Sequence, residues 1–239
     1  MTIAAAYRFA RFHGRKLLPP RGRPSSTGVS LRGINLTLGE HTPPNIRTAI
    51  QRGRYERGEA NAVEAILQAG DRVLEIGGGI GYISTLCART AEVTVYEAAP
   101  YLISHIEKTL ADNGASASVR NAVLVNAQGG GRVPFFLRDE YWESSLDGTA
   151  DYASAVDVPT VSLAEVLAEV RPNVLVADIE GGEYELLKAP LPGVDRIIVE
   201  VHPNTALDDG SMMAHLSALG FRPHWVSRGR VLCLTRQGG

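Results

Sequence analysis

Short apolar runs alternate along the chain with longer stretches in which apolar residues recur every three or four positions. The runs at 72–76, 93–97, 121–125, 174–178 and 196–201 have strand length and are rich in Val, Leu and Ile. Near-continuous apolarity of this kind predicts strands buried on both faces. Helical spacing separates them. Residues 45–69 place Val63, Ile66 and Leu67 on one face, with Gly70 as a stop. Ile80, Ile83 and Cys87 mark a helix ending near Arg89, and Leu102, Ile106 and Leu110 mark another over 101–112. Ser162-x-x-Glu165 reads as a capping box opening a helix to Val170. Further helices are expected at 183–188 and 211–219, and an antiparallel pair at 222–227 and 230–235. This alternation predicts an α/β fold: a Rossmann-like, open, mostly parallel sheet with helices on both faces and a C-terminal antiparallel strand pair. Residues 21–33, rich in Gly, Pro and Ser, read as a linker before a strand-like patch at Asn35–Leu38. The expected division is an arm at 1–33 and one domain at 34–239.

In such sheets ligands bind beyond the strand C-termini. Residues 73–81 run from an apolar strand into Glu75 and then Gly77-x-Gly79-x-Gly81, with Gly78 between. A dinucleotide loop needs a third glycine where Tyr82 stands, and an acid before the loop repels pyrophosphate. S-adenosylmethionine (SAM) fits this loop better than NAD. Glu97, about 20 residues on in Val93-Thr-Val-Tyr-Glu97, stands where an acid accepts ribose hydroxyls. Asn126, Asp178, Glu200 and His202 also fall at expected strand ends and should line the same crevice.

With these residues the chain resembles the FkbM family of class I SAM-dependent methyltransferases. The resemblance covers roughly residues 45–205. It rests on Gly53-Arg-Tyr-Glu56, on the glycine loop, on Val156–Leu163, and above all on Asp178-Ile-Glu-Gly-Gly-Glu183 and Val199-Glu-Val-His-Pro203. Many relatives carry Gly-Ala-Asn where this chain has Gly77-Gly78-Gly79. The resemblance implies methyl transfer to an acceptor hydroxyl, usually of a sugar or natural product. By position it implies Glu75 and Gly77–Gly81 at the methionine end, Glu97 at the ribose, and Asn126 and Ala127 at the adenine, with Tyr82 and Ala98 as further cofactor-binding candidates. Asp178 falls near the sulfonium and the acceptor.

A hydroxyl acceptor sheds a proton, so a base is needed. His202, Asp178 and Glu180 are the candidates. Glu180 and Glu183 read equally well as first-turn acids facing a helix dipole. A divalent metal is not expected; the weak alternative would use Asp178, Glu200 and Asn204. The segment 127–157 is too long for a simple connection. Its Trp142, Ser144 and Ser145, with Tyr55 and Glu59 from the N-terminal side, are the expected acceptor-binding residues.

Charge adds one further feature. The net value is −2, but Arg8, Arg11, Arg15, Lys16, Arg21 and Arg23 give residues 1–24 a charge of +6, leaving −8 on the remainder. The arm allows a peripheral contact with an anionic membrane, while the acidic remainder argues against nucleic acid. Cys87 and Cys233, without metal-type spacing, suit a reducing, cytoplasmic setting. The expected partner is a small hydroxyl acceptor, free, glycosylated or lipid-linked, and a homo-oligomer is compatible with the sequence. The rival readings are an NAD-type oxidoreductase, a nucleic-acid methyltransferase and a non-catalytic SAM-fold protein.

Overall fold

The computed structural model describes residues 27–38, 42–138, 144–149, 151–202, 209–226 and 230–236. Trp142, Asn204 and the basic residues of 1–24 lie outside the described residues. The chain opens with a hairpin, β1 (Thr27–Leu31) and β2 (Ile34–Leu38). β1 occupies part of the stretch read as linker. Arg32 and Gly33, both at positive φ, make a tight turn that a Gly/Ser-rich composition disguised.

Two helices follow, α1 (Pro44–Gln51) and α2 (Arg57–Ile66), where the sequence reads as one. The break lies at Gly53 and Glu56, both in the left-handed region. The next elements are β3 (Arg72–Ile76), α3 (Tyr82–Ala88), β4 (Glu92–Glu97), α4 (Pro100–Asp112) and β5 (Ser118–Asn121). The apolar run at 121–125 divides. β5 stays in the main sheet, while β6 (Val123–Val125) joins β7 (Arg132–Leu137) and β8 (Ser154–Ser162) in a separate three-stranded sheet. The long segment 127–157 is thus largely an antiparallel hairpin. α5 (Leu163–Val170) starts at Ser162, but the expected capping box is not formed: Ser162 makes no side-chain cap bond. β9 (Val174–Ala177), α6 (Glu183–Leu187), β10 (Arg196–Glu200), α7 (Asp209–Ala218), β11 (Phe221–Val226) and β12 (Val231–Arg236) complete the order.

The main sheet has the order β11-β12-β10-β9-β3-β4-β5. β10, β9, β3, β4 and β5 are parallel, and β12 and β11 add the antiparallel pair. This is the Rossmann-like arrangement expected. Alternate residues of each strand serve the cores on its two faces. Val73, Val95, Val174 and Ile198 pack with α2, α3 and α4, while Leu74, Leu175, Ile197 and Val199 pack with α5, α6 and α7. From β3 the chain builds outward through β4 and β5, then returns to add β9 and β10 on the other side. The switch point therefore lies between the C-termini of β3 and β9.

Candidate active site

Gly77 leaves β3 directly against the end of β9. A Cβ on Gly77 would lie 1.8 Å from the Asp178 carbonyl oxygen, and its φ is +89°. Glycine is required here because backbone meets backbone. From the neighbouring strand, Glu97 closes on the loop. Its Oε2 accepts the N–H groups of Gly78 and Gly79, each at 3.0 Å, and its Oε1 accepts that of Ala99 at 2.8 Å. Glu97 thus fixes the loop's shape with lone pairs left for a ligand.

A cavity of about 1370 Å³ opens above this point. That exceeds the roughly 300–1,000 Å³ of a single small-molecule site. Of the residues singled out for the cofactor, Gly77, Gly79, Glu97, Ala98, Asn126, Ala127 and Asp178 line it, as do the catalytic candidates Glu180 and His202. Tyr55, Ser144 and Ser145 line it among the acceptor candidates. Gly78, Gly81 and Tyr82 stand behind the wall. Gly78 faces Ile106 and Val95, Gly81 packs on Ile106, and Tyr82 is buried beneath Tyr55 with ring centroids 6.0 Å apart. Glu75 also lies off the wall. It shares Val73's side of β3 and is buried over α3, 1% exposed. Its supposed place at the methionine end is therefore indirect, beneath the loop. Glu59 sits behind Glu200, also buried.

The reacting end is built by one short loop and one strand end. Glu183, 1% exposed at the start of α6, accepts the N–H groups of Ile179 and Gly181, each at 3.2 Å. Its Oε1 also lies 2.9 Å from His202 Nδ1. The same imidazole has Asp178 Oδ1 at 3.8 Å, Glu180 Oε2 at 3.4 Å and Glu200 Oε1 at 4.0 Å. Glu180 holds φ +55°, strained for a side chain with a Cβ. Glu183 thus ties the loop after β9 to the end of β10. Its sequence signal was its place in Asp178-Ile-Glu-Gly-Gly-Glu183, where it also read as a helix-dipole acid. Glu56, which the sequence set beside Tyr55 at the end of Gly53-Arg-Tyr-Glu56, is another wall residue.

The methyltransferase FkbM domain model matches residues 75–223. The chain belongs to the FkbM methyltransferase family. It is a SAM-dependent methyltransferase, and the oxidoreductase reading falls. No curated protein matches the chain. Among solved structures, magnesium protoporphyrin IX methyltransferase from Synechocystis, with bound SAM, is 14% identical. That match covers 83% of this chain and 87% of that one, at a TM-score of 0.52. The ribosomal protein L11 methylase of Lactobacillus delbrueckii subsp. bulgaricus is 14% identical over 77% and 79% of the two chains, TM-score 0.47. The likeness to the Synechocystis enzyme speaks for the fold alone.

In this FkbM-family site the carboxylates outnumber the cations. Burial drives the Asp178 pKa well up, His202 opposing and Glu180, Glu56 and Glu59 adding to the rise. Its Oδ1 is buried without a hydrogen-bond partner among the described residues. Glu200 is pushed up to about 9 by burial, a hydrogen bond with Glu59 and the charge of Asp178. His202 moves to about 9: burial works against its charge, but Glu183 and the surrounding acids outweigh it. At neutral pH His202 is therefore an imidazolium with its proton already in place. Asp178 is half-buried, with its Oδ1 shielded and without a hydrogen-bond partner among the described residues.

Ser144 and Ser145 are partly committed within their own loop. Ser144 Oγ accepts the Arg138 N–H at 3.0 Å, and Ser145 Oγ accepts Arg138 Nη1 at 2.8 Å. Arg138, which the sequence reading did not single out, anchors this wall. Beside it Leu102, Leu124 and Phe135 form an apolar slot.

Among the described residues two groups could hold a metal ion: Glu59, Asp178 and Glu200, or Asp178, Glu180 and His202, each with one donor atom apiece within 4.8 Å of the others. The first, all oxygen, is the type a hard divalent cation takes.

Proposed function

We propose that this methyltransferase O-methylates a hydroxyl group of a sugar or natural-product acceptor, of polyketide or glycolipid type. The observation that carries the reading is the half-buried Asp178 carboxyl beside the glycine loop at the switch point, raised in pKa and with Oδ1 shielded and unpartnered. The residues present fit SAM. Glu97 offers lone pairs to a ribose, Gly77 and Gly79 bare backbone to the methionine part, and Ala98, Asn126 and Ala127 the adenine side beside the apolar slot. SAM, when bound, supplies an electrophilic methyl group on a cationic sulfur.

The chain's own groups then have distinct tasks. The Asp178 carboxylate accepts the hydroxyl proton as the acceptor oxygen gains the methyl group. Glu183 holds His202 through Nδ1, and the imidazolium steadies the carboxylate beside it. Tyr55 and the 144–147 wall hold the acceptor and keep water out. In the wall the carboxyl groups of Glu56, Asp178, Glu180 and Glu200 outnumber the cations Lys188 and His202, which favours neutral hydroxylic acceptors over phosphates. The test is an acceptor screen that follows S-adenosylhomocysteine release, starting with glycosides and polyketide hydroxyls. Turnover on such a hydroxyl, unaffected by EDTA, is expected. Turnover confined to nucleic acid or amine acceptors would overturn the reading.

A further inference from the structure

The connection between α1 and α2 presents two contrasting faces. Tyr55 and Glu56 turn inward and line the cavity, as does Ile46 of α1. Arg52, Arg54 and Arg57 point out, all exposed. None of the three side chains makes an ion pair or hydrogen bond with another described residue. Three exposed guanidinium groups within six positions, with the one intervening acid turned inward, form a local positive patch suited to an anion.

We propose that this connection is a docking surface for an anionic membrane, with Arg52, Arg54 and Arg57 taking lipid headgroup phosphates beside the cavity mouth. Guanidinium groups match phosphate oxygens in fork geometry. Two observations favour a lipid surface over a free polyanion. Inside the mouth the carboxyl groups of Glu56, Asp178, Glu180 and Glu200 outnumber the cations Lys188 and His202, so the wall offers a polyanion no cationic track inward. At the cavity's other wall Leu146 is 49% exposed, an apolar group suited to an acyl boundary and without use for a nucleic-acid backbone. A neutral acceptor carried on a lipid would then reach the acidic interior while the rim holds the anionic surface.

The inference deepens the lipid-linked form of the acceptor proposed above, but its test needs neither acceptor nor turnover. The full chain is sedimented with phosphatidylglycerol–phosphatidylcholine vesicles and with phosphatidylcholine alone. Binding to the anionic vesicles only, falling with added salt, is expected. Reversing all three arginines (R52E, R54E, R57E) should lower the partition coefficient roughly 100-fold. Arg171→Glu, at the opposite end of the sheet, should leave it unchanged. SAM calorimetry on the triple variant checks that it is folded. If it is not, the milder R52Q, R54Q, R57Q set replaces it. Equal partition of wild type and variant, equal binding to neutral vesicles, or arginine-dependent binding of RNA without vesicle binding would each overturn the proposal. Loss of vesicle binding with SAM binding intact leaves the methyltransferase reading untouched.

Discussion

At the N-terminal edge of the parallel strands, Asp71 meets Arg196 through two hydrogen bonds, Oδ1 to Nη2 at 2.7 Å and Oδ2 to Nη1 at 3.0 Å. The Gln68 N–H and the Asn173 amide complete its shell at 2.7 and 2.9 Å. At the C-terminal edge Asp178, Glu180, Glu183 and Glu200 surround a single imidazole, and Asp178 Oδ1 goes without a hydrogen bond. The same strands thus carry a balanced ion pair at one end and an excess of acid at the other. The balanced end stabilises the fold. The unbalanced end stores repulsion that a cationic cofactor and a proton-shedding acceptor can relieve.

Asp178→Asn gives the largest expected effect. It should cut methyl transfer by about 10²–10⁴-fold, read as S-adenosylhomocysteine release, with no loss of thermal stability. An unchanged kcat would remove Asp178 as the base. Asp71→Ala should do the reverse. It leaves the largely covered Arg196 without its partner and should cost about 3 kcal/mol in urea unfolding. Activity per folded molecule should hold. Glu97→Ala tests the joint between loop and cofactor. Loss of charge-assisted bonds worth about 1.5–3 kcal/mol should weaken SAM roughly 10–100-fold in calorimetry.

The smallest effect lies in pH. Burial works to raise the pKa of Asp71, but the Gln68 N–H, Arg196 and Asn173 hold it below its ordinary 3.8. Its contribution is present above that value and fades as pH falls through the lower folded value. Glu200 runs the other way. Raised from 4.5 to about 9, it takes up a proton on folding, and its contribution is complete below about pH 4.5 and lost as pH rises through 9. His202, raised from 6.5 to about 9, adds the same sign over the upper part of that window. Between pH 6 and 9 stability should therefore fall, and Glu200→Gln should make the fall shallower. An identical slope in the variant would mean that Glu200 is not held as a neutral acid.

The acids at the strand ends were legible because a run of Val and Ile followed by one acid has few other meanings in a buried parallel strand. Glu97, Asp178, Glu200 and His202 all reach one cavity for that reason. Glu75 was harder to place. In β3 both faces are apolar, so no alternation tells which side of Leu74 and Ile76 the acid takes. The helix over 45–69 hid its break, because Glu56 adopts a left-handed backbone that its residue type does not advertise. Ser162 had the right spacing from Glu165 for a capping box, but it also ends β8, where it pairs with Val125. Pairing in the second sheet governed the 132–162 hairpin, and such partners are set by distant chain.

Gly77 has a consequence for how this enzyme can change. The loop it opens and the carbonyl of Asp178 touch with no room for a methyl group, so the spacing between donor pocket and base is locked by main chain rather than by side chains. New acceptors can be accommodated by rewriting the β7–β8 hairpin and its 144–149 wall, which share no backbone with that contact. The molecule thus separates a part free to diversify from a fixed gauge one glycine wide.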